Sequence, residues 1–278
     1  MTRTIVVVPC FNEAKRLDVR AIQEFGQQAA AVELLFVNDG SRDETLEVLE
    51  RLQQGNPRRF SFLHLARNGG KAEAVRQGML LALRSGAQYV GFWDADLATP
   101  LSDIEPFCRV LDTKPQINVV VGTRMRLLGH KIERRPLRYW LGRLFARTAS
   151  LALGLRIFDT QCGAKLFRVT PQIEQLFGQA FLTRWIFDVE ILARMQFSTR
   201  GNQPILSETI YEFPLDAWRD VAGSTVKSGD FLKATVELAR IYWTYLRSGA
   251  PGLPEFEPSP LHPLPHAKPG RGDKQQAA

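Results

Sequence analysis

The chain has 278 residues, 45% apolar and 23% charged. That is an ordinary soluble balance, with room for one large domain or two small ones. Lys plus Arg number 36 against 29 Asp plus Glu, so the formal net charge of +7 points to an anionic partner: nucleotide, lipid phosphate, membrane surface or nucleic acid. Three scattered cysteines, Cys10, Cys108 and Cys162, exclude a disulfide framework and suggest a reducing compartment, and the absence of any uncharged apolar window of 18 residues argues against a transmembrane helix. No signal peptide is expected, because an apolar strand begins at residue 5.

In chain order, T-I-V-V-V-P reads as a short buried strand, C-F-N-E as a loop, and residues 14–30 as a helix. V-E-L-L-F-V-N-D-G is a second strand ending at Asn38 and Asp39. Ser41 with Glu44 three residues later reads as a capping box opening the next helix. F-S-F-L-H-L-A is a third strand, N-G-G-K a loop, A-E-A-V-R-Q-G-M-L-L-A-L-R a helix, Q-Y-V-G-F-W a fourth strand running into D-A-D, and I-N-V-V-V-G-T-R another strand.

Continuously apolar strands alternating with helices predict a mostly parallel sheet covered on both faces, an α/β doubly wound layout. In such sheets ligands bind beyond the C-terminal ends of the strands. The polar clusters fall there: Asn12 and Glu13, Asp39, Asn68 to Lys71, Asp94 and Asp96, and Arg124.

Beyond residue 130 the pattern predicts a helix over 134–155, with Leu137, Trp140, Leu141, Leu144, Phe145, Leu151 and Leu155 on one side and Arg135, Arg138, Arg143 and Arg147 on the other. Such a helix either packs on the core with a solvated basic face, or lies on an anionic membrane. A second amphipathic helix is expected near 231–246, and the proline-rich stretch from 249 is expected to be disordered. The domain reading is therefore 1–230 for the α/β unit, 231–248 for the amphipathic helix and 249–278 for the tail.

A lone D-x-D is more often a capped turn than a metal site. Here Asp94 and Asp96 follow a buried strand on the ligand rim, and residues i and i+2 of an extended segment project to the same side. Both carboxylates can then face one hard cation, Mg²⁺ or Mn²⁺, shared with phosphate oxygens. Asp39 could serve a base or ribose, or simply a turn. The glycines of N-G-G-K let backbone approach a ligand at a helix N-terminus, and Lys71 could offset phosphate charge. This is not a Walker A loop, and no G-x-G-x-x-G follows the first strand.

Together these pieces resemble the family 2 glycosyltransferases with the GT-A fold. The elements that carry the resemblance are V-V-V-P-C-F-N-E (6–13), V-N-D-G-S-R-D-E-T (37–45), N-G-G-K-A-E-A-V-R-Q-G (68–78), D-A-D-L-A-T-P (94–100), V-G-T-R (121–124), D-T-Q-C-G-A-K-L-F (159–167), F-D-V-E-I-L (187–192) and G-S-T-V-K (223–227). Within the family the chain is most similar to the polyprenyl-phosphate sugar transferases, the dolichyl-phosphate glucosyl type above all. It departs from that type at Ala164, where Phe is usual, and from the mannosyl type at Asp220, where Arg is usual.

The resemblance implies an inverting, metal-dependent transfer of a hexose from a UDP- or GDP-sugar to a polyprenyl phosphate, at the cytoplasmic face of a membrane. It implies that Pro9, Asn12, Glu13, Asp39, Lys71 and Asp94 bind the nucleotide sugar and that Asp94 and Asp96 hold Mg²⁺ or Mn²⁺. Arg124, Gln161 and Lys165, with Arg219, Ser224 and Lys227 from a closing loop, would face the acceptor phosphate. Asp188 would act as base if the acceptor were instead a hydroxyl on a glycan or small molecule; otherwise it partners Arg184 or Arg194. A nucleic-acid partner is disfavoured, because the Arg-rich stretch 134–147 carries only Tyr139, Trp140 and Phe145 as stacking aromatics, two of them on its apolar face.

Overall fold

A computed structural model describes residues 2–133, 136–199, 206–219 and 228–247. The elements in order are β1 (Thr4–Cys10), α1 (Val19–Gln28), β2 (Val32–Asp39), α2 (Thr45–Gly55), β3 (Phe60–Leu65), α3 (Lys71–Leu83), β4 (Tyr89–Trp93), α4 (Ile104–Thr113), β5 (Val119–Thr123), β6 (Lys131–Glu133), α5 (Pro136–Leu153), β7 (Ala164–Arg168), α6 (Pro171–Gly178), α7 (Phe187–Ser198), α8 (Leu206–Thr209), β8 (Ile210–Pro214), β9 (Ala217–Arg219) and α9 (Ser228–Ile241). A π-helical turn, Tyr242–Leu246, extends α9.

The strands form one seven-stranded sheet in the order β3-β2-β1-β4-β7-β5-β8, and β6 pairs with β9 in a small second sheet. All neighbours in the large sheet are parallel except β7, which runs antiparallel to both β4 and β5. The predicted mostly parallel sheet is thus present, with one reversed strand inserted near its middle.

Alternation along the strands splits the core in two. Ile5, Val7, Leu35, Val37, Val90 and Phe92 face α3, α5, α6, α7 and α9. Val6, Val8, Leu34, Phe36, Tyr89 and Trp93 face α1, α2 and α4. Each buried side chain of this size contributes roughly 2 kcal/mol, so burial on both faces, not local propensity, makes these runs strands.

Two helix boundaries and one helix face differ from the sequence reading. The first helix is shorter, Val19–Gln28, because the Asp18 side chain caps it by accepting from Ala21 N at 3.0 Å. The second begins at Thr45, not at a Ser41 capping box, because the Ser41 hydroxyl is taken by Asn12 N at 3.0 Å. In α5 the core takes Phe145, Ala149 and Leu153. Trp140, Leu144 and Leu151 instead point to solvent at 70%, 65% and 83% exposure. Arg135, the loop at 220–227 and the tail from 249 lie outside the described residues.

Asp103, in the 3-10 turn before α4, is only 8% exposed, and its Oδ2 has no hydrogen-bond partner among the described residues. Burial, and after it the charge of Asp216, push its carboxyl up to about 6 from 3.8. The folded state therefore binds this proton more tightly than the unfolded state. The contribution to stability is full below the unfolded value and is lost as pH rises through about 6. Asp103→Asn is expected to raise the melting temperature by a few degrees at pH 7.5, roughly 1–2 kcal/mol, and by much less at pH 4. Equal melting curves at both pH values would remove Asp103 as a destabilising group.

Candidate active site

The site follows from the direction of the strands. β1, β2 and β4 are parallel, so Cys10, Asp39 and Trp93 end on one rim. Because β7 is antiparallel, it starts where its neighbours stop: Ala164 pairs with Trp93. The Thr160–Gly163 loop is thereby set against the D-A-D segment, and Asp94 N donates to Gly163 O at 3.1 Å.

Lys71, the first residue of α3, brings Nζ to 2.5 Å from Asp94 Oδ1. Burial pulls the Lys71 ammonium down, but Asp94, Asp188 and Asp96 outweigh it and hold it above its ordinary value. Asp96 Oδ1 accepts from Ala98 N at 3.1 Å. Burial, then the neighbouring charge of Asp94, raise the Asp96 carboxyl. Glu13 is raised by burial and by the charges of Asp96, Asp43 and Asp94, with Arg16 opposing, and its buried Oε2 has no hydrogen-bond partner among the described residues. Three carboxylates therefore share one electrostatic neighbourhood that repels itself.

Such a set fits a divalent cation: hard oxygen donors, raised carboxyls and an unpartnered buried oxygen. Among the described residues no group of three or more His, Cys, Asp or Glu side chains is arranged to hold a metal. Asp94 and Asp96 would thus need ligand oxygens from elsewhere to complete a shell.

Asp39 is buried, and its two carboxylate oxygens accept from Gly69 N at 2.7 Å and Gly70 N at 2.9 Å. Asn68 Nδ2 donates to Asp39 O at 3.2 Å. Asp39 is therefore the peg on which the N-G-G-K loop hangs, and Gly70, at φ 88°, supplies the left-handed turn into α3. Asn12, also left-handed at φ 53°, accepts from Arg42 N at 2.9 Å, while Glu13 N donates to Thr45 Oγ1 at 2.8 Å. These bonds strap the loop after β1, with Pro9 at the strand's end, to the loop before α2.

The residues expected to face an acceptor divide into four sets. Arg124 donates from Nε and Nη2 to both oxygens of Asp159, at 2.6 and 2.7 Å, and its guanidinium lies 5.1 Å over the Trp218 ring. Lys165 is 1% exposed; its Nζ donates to Asp188 Oδ1 at 2.5 Å and to Cys162 O at 2.7 Å. The structure thus puts Lys165 behind the site with Asp188. Gln161 sits in the loop before β7, and exposed Arg219 ends β9 beside a cleft of about 730 Å³ that also borders Asp96. Ser224 and Lys227 lie outside the described residues.

Neither arginine weighed as a partner for Asp188 fills that role. Arg184 donates to Gly69 O at 3.3 Å. Arg194 binds Glu190 at 2.8 Å, with both residues fully buried. Glu190 also accepts from Leu182 N, Thr183 N, Thr183 Oγ1 and the Tyr245 hydroxyl, which makes it a structural hub beneath the site.

Gly163 is the site residue that sequence reasoning left without a role. A Cβ there would land on the Asp94 carboxylate. The signal was the glycine within D-T-Q-C-G-A-K-L-F (159–167), one of the segments that carried the resemblance. Gly163→Ala is expected to leave the melting temperature within a few degrees, since a carboxylate can swing aside, yet to lower turnover by roughly a hundredfold by parting Asp94 from Lys71. Wild-type turnover in the folded variant would show that the placement of Asp94 is not critical.

The defining pattern of Glycosyl transferase family 2 matches residues 5–174. The chain is 31% identical over 258 residues to dolichyl-phosphate beta-glucosyltransferase ALG5C of Trichomonas vaginalis, covering 88% of this chain and 72% of that protein. It is 31% identical over 264 residues to the dolichyl-phosphate beta-glucosyltransferase of Saccharomyces cerevisiae, covering 87% and 74%. The fold is shared with glucosyl-3-phosphoglycerate synthase of Mycobacterium tuberculosis, solved with Mn²⁺, UDP and glucosyl-3-phosphoglycerate, at a TM-score of 0.62, 18% identity, and coverage of 90% of this chain and 81% of that one.

Proposed function

The chain belongs to glycosyl transferase family 2, and from that premise we propose that it moves a hexose, glucose by the likeness of its relatives, from a nucleoside-diphosphate sugar to a polyprenyl phosphate with inversion. The observation that carries this reading is the Lys71–Asp94 contact of 2.5 Å on the rim shared by Asp39, Asp96 and Gly163. One ammonium and two carboxylates there suit a diphosphate and a divalent cation together.

In this reading Asp94 and Asp96 hold Mg²⁺ or Mn²⁺, which supplies charge neutralisation to the leaving diphosphate. Pro9, Asn12, Glu13, Asp39 and the loop at 68–71 seat the nucleoside. Lys71 offsets further charge on the β-phosphate as the C1–O bond breaks and its electron pair leaves with the diphosphate. An oxygen of the acceptor phosphate forms the new bond to C1 from the opposite face. Gln161, Arg219, Ser224 and Lys227 orient that phosphate, and Arg124 borders it from its seat on Asp159. Asp188 Oδ1 already accepts from Lys165. An acceptor that arrives anionic needs no base, which favours a phosphate over a hydroxyl.

No helix among the described residues is long and apolar enough to cross a membrane. Contact with the lipid phase is assigned instead to the outward face of α5, where Trp140, Leu144 and Leu151 flank exposed Arg147, and to exposed Trp243 in the turn after α9. An apolar stripe with interleaved arginine suits the anionic cytoplasmic leaflet.

The test is an assay of UDP- and GDP-sugars with Mg²⁺ or Mn²⁺ and a polyprenyl phosphate, presented either in anionic vesicles or as a short soluble analogue. Lipid-linked sugar that disappears with chelator is the expected result. Donor hydrolysis without any lipid product would overturn the acceptor.

A further inference from the structure

Glu237 lies on α9, after the segment assigned above to the acceptor, yet its carboxylate reaches the loop ahead of α7. Oε1 accepts from Arg184 N at 3.2 Å, and Oε2 accepts from Trp185 N at 3.4 Å and Ile186 N at 3.2 Å. Backbone N–H groups at a helix N-terminus lack intrahelical partners, and a carboxylate there also meets the positive end of the helix dipole. The N-cap of α7, Ile186, makes no side-chain capping bond of its own. Of the three N–H groups only that of Ile186 is at the helix terminus, so Glu237 both caps α7 and clamps the two residues before it, from more than fifty positions later in the chain.

The loop so held carries Arg184. Its Nη2 donates to Gly69 O at 3.3 Å. Its Nη2 and Nε lie 3.3 and 3.4 Å from where a Cβ on Gly70 would stand, so the guanidinium rests against the glycine pair. The N–H groups of the same two glycines bind Asp39, and the charge of Arg184 opposes the rise that burial imposes on the Asp39 carboxyl. A chain of contacts therefore runs from α9 through Glu237 and Arg184 to the Asn68–Lys71 loop and the end of β2.

We propose that Glu237 is a positioning residue for the donor: by holding residues 184–186 it sets Arg184 against the Asn68–Lys71 loop, so that a helix outside the sheet completes the pocket for the nucleoside diphosphate. The inference rests on the donor site proposed above.

The experiment is calorimetric titration of the full chain with UDP and GDP in the presence of Mn²⁺, for wild type, Glu237→Ala, Glu237→Gln, Arg184→Ala and the double variant Glu237→Ala with Arg184→Ala. Glu237→Ala and Arg184→Ala are each expected to weaken diphosphate binding by roughly fivefold to tenfold, and the double variant no further than either single, because both act through one contact. Glu237→Gln is expected to fall between, since an amide oxygen still accepts. In turnover assays the loss should fall on the donor KM more than on kcat. A Glu237→Ala protein that melts lower but binds diphosphate like wild type would reduce Glu237 to a helix cap, and additive losses would separate the two residues; either result overturns the proposal. A wild-type protein that binds neither diphosphate overturns the donor site itself, and this inference with it.

Discussion

Asp96→Asn is expected to reduce sugar transfer by about a thousandfold or more while the protein stays folded with an unchanged or higher melting temperature. The two halves have one cause. Burial, and then Asp94, hold the Asp96 carboxyl above its ordinary value, so in the absence of a counter-charge its ionised form is strained. An amide of the same shape removes that repulsion and can still accept from Ala98 N, which donates to Asp96 Oδ1 at 3.1 Å. What it removes from the reaction is half of the carboxylate pair proposed to hold the cation against the diphosphate, a stabilisation that sites of this kind supply at roughly a hundredfold to thousandfold per donor group. The check is kcat at saturating donor and Mn²⁺ beside a melting curve. Near-wild-type turnover would move the cation to other residues; a collapsed melting temperature would make Asp96 structural.

Lys165→Met is expected to produce the largest loss of stability, about 3–5 kcal/mol, because it leaves Asp188 buried without its partner. The pair is closed: Lys165 Nζ reaches Asp188 Oδ1 at 2.5 Å, with side chains 1% and 6% exposed. The melting temperature should fall by on the order of 10 °C. Adding Asp188→Leu to that variant is expected to restore most of the loss, since a buried pair replaced by apolar groups is often neutral. Turnover should not return with it. Asp188 is one of the charges that hold the Lys71 ammonium up, and removing it alters the cation proposed to face the diphosphate. A double variant that is both stable and fully active would show that the pair serves the fold alone.

Much of this site was legible because burial on both sheet faces writes continuous apolar runs. β1, β2 and β4 run into polar residues at their C-terminal ends, and a parallel sheet brings those ends together. Asn12, Glu13, Asp39, Lys71, Asp94 and Asp96 could be placed on one rim from that argument alone, whereas Pro9 was singled out only by the resemblance. β7 was not legible as a strand. It is five residues long with Lys165 at its second position, and a lysine reads as solvent-facing until its partner, 23 residues further on, is known. The roles first assigned to Lys165 and to Asp188 followed from that missing contact. The same limit applies to α5: the sequence reading put Trp140, Leu144, Phe145 and Leu151 on one apolar side, and only the packing of Phe145, Ala149 and Leu153 against the core shows which of them turn inward. Asp39 was visible as a polar residue ending a strand, but its grip on Gly69 and Gly70 depends on a contact thirty residues away.

The reversed strand has a consequence for how the sheet finds its pairing. Side chains alternate along β7, so a slip of one residue against β4 would exchange its two faces. Lys165 would then lie among Phe36, Trp93 and Phe107, on the side of α1, α2 and α4. Asp188 would remain on the side of α7, stripped of its partner. The frameshifted sheet would bury two unmatched charges at once. A lysine at the second position of a five-residue strand thus acts as a punctuation mark: it leaves the sheet one frame in which the chain can be read, and that frame is the one that delivers Gly163 to Asp94.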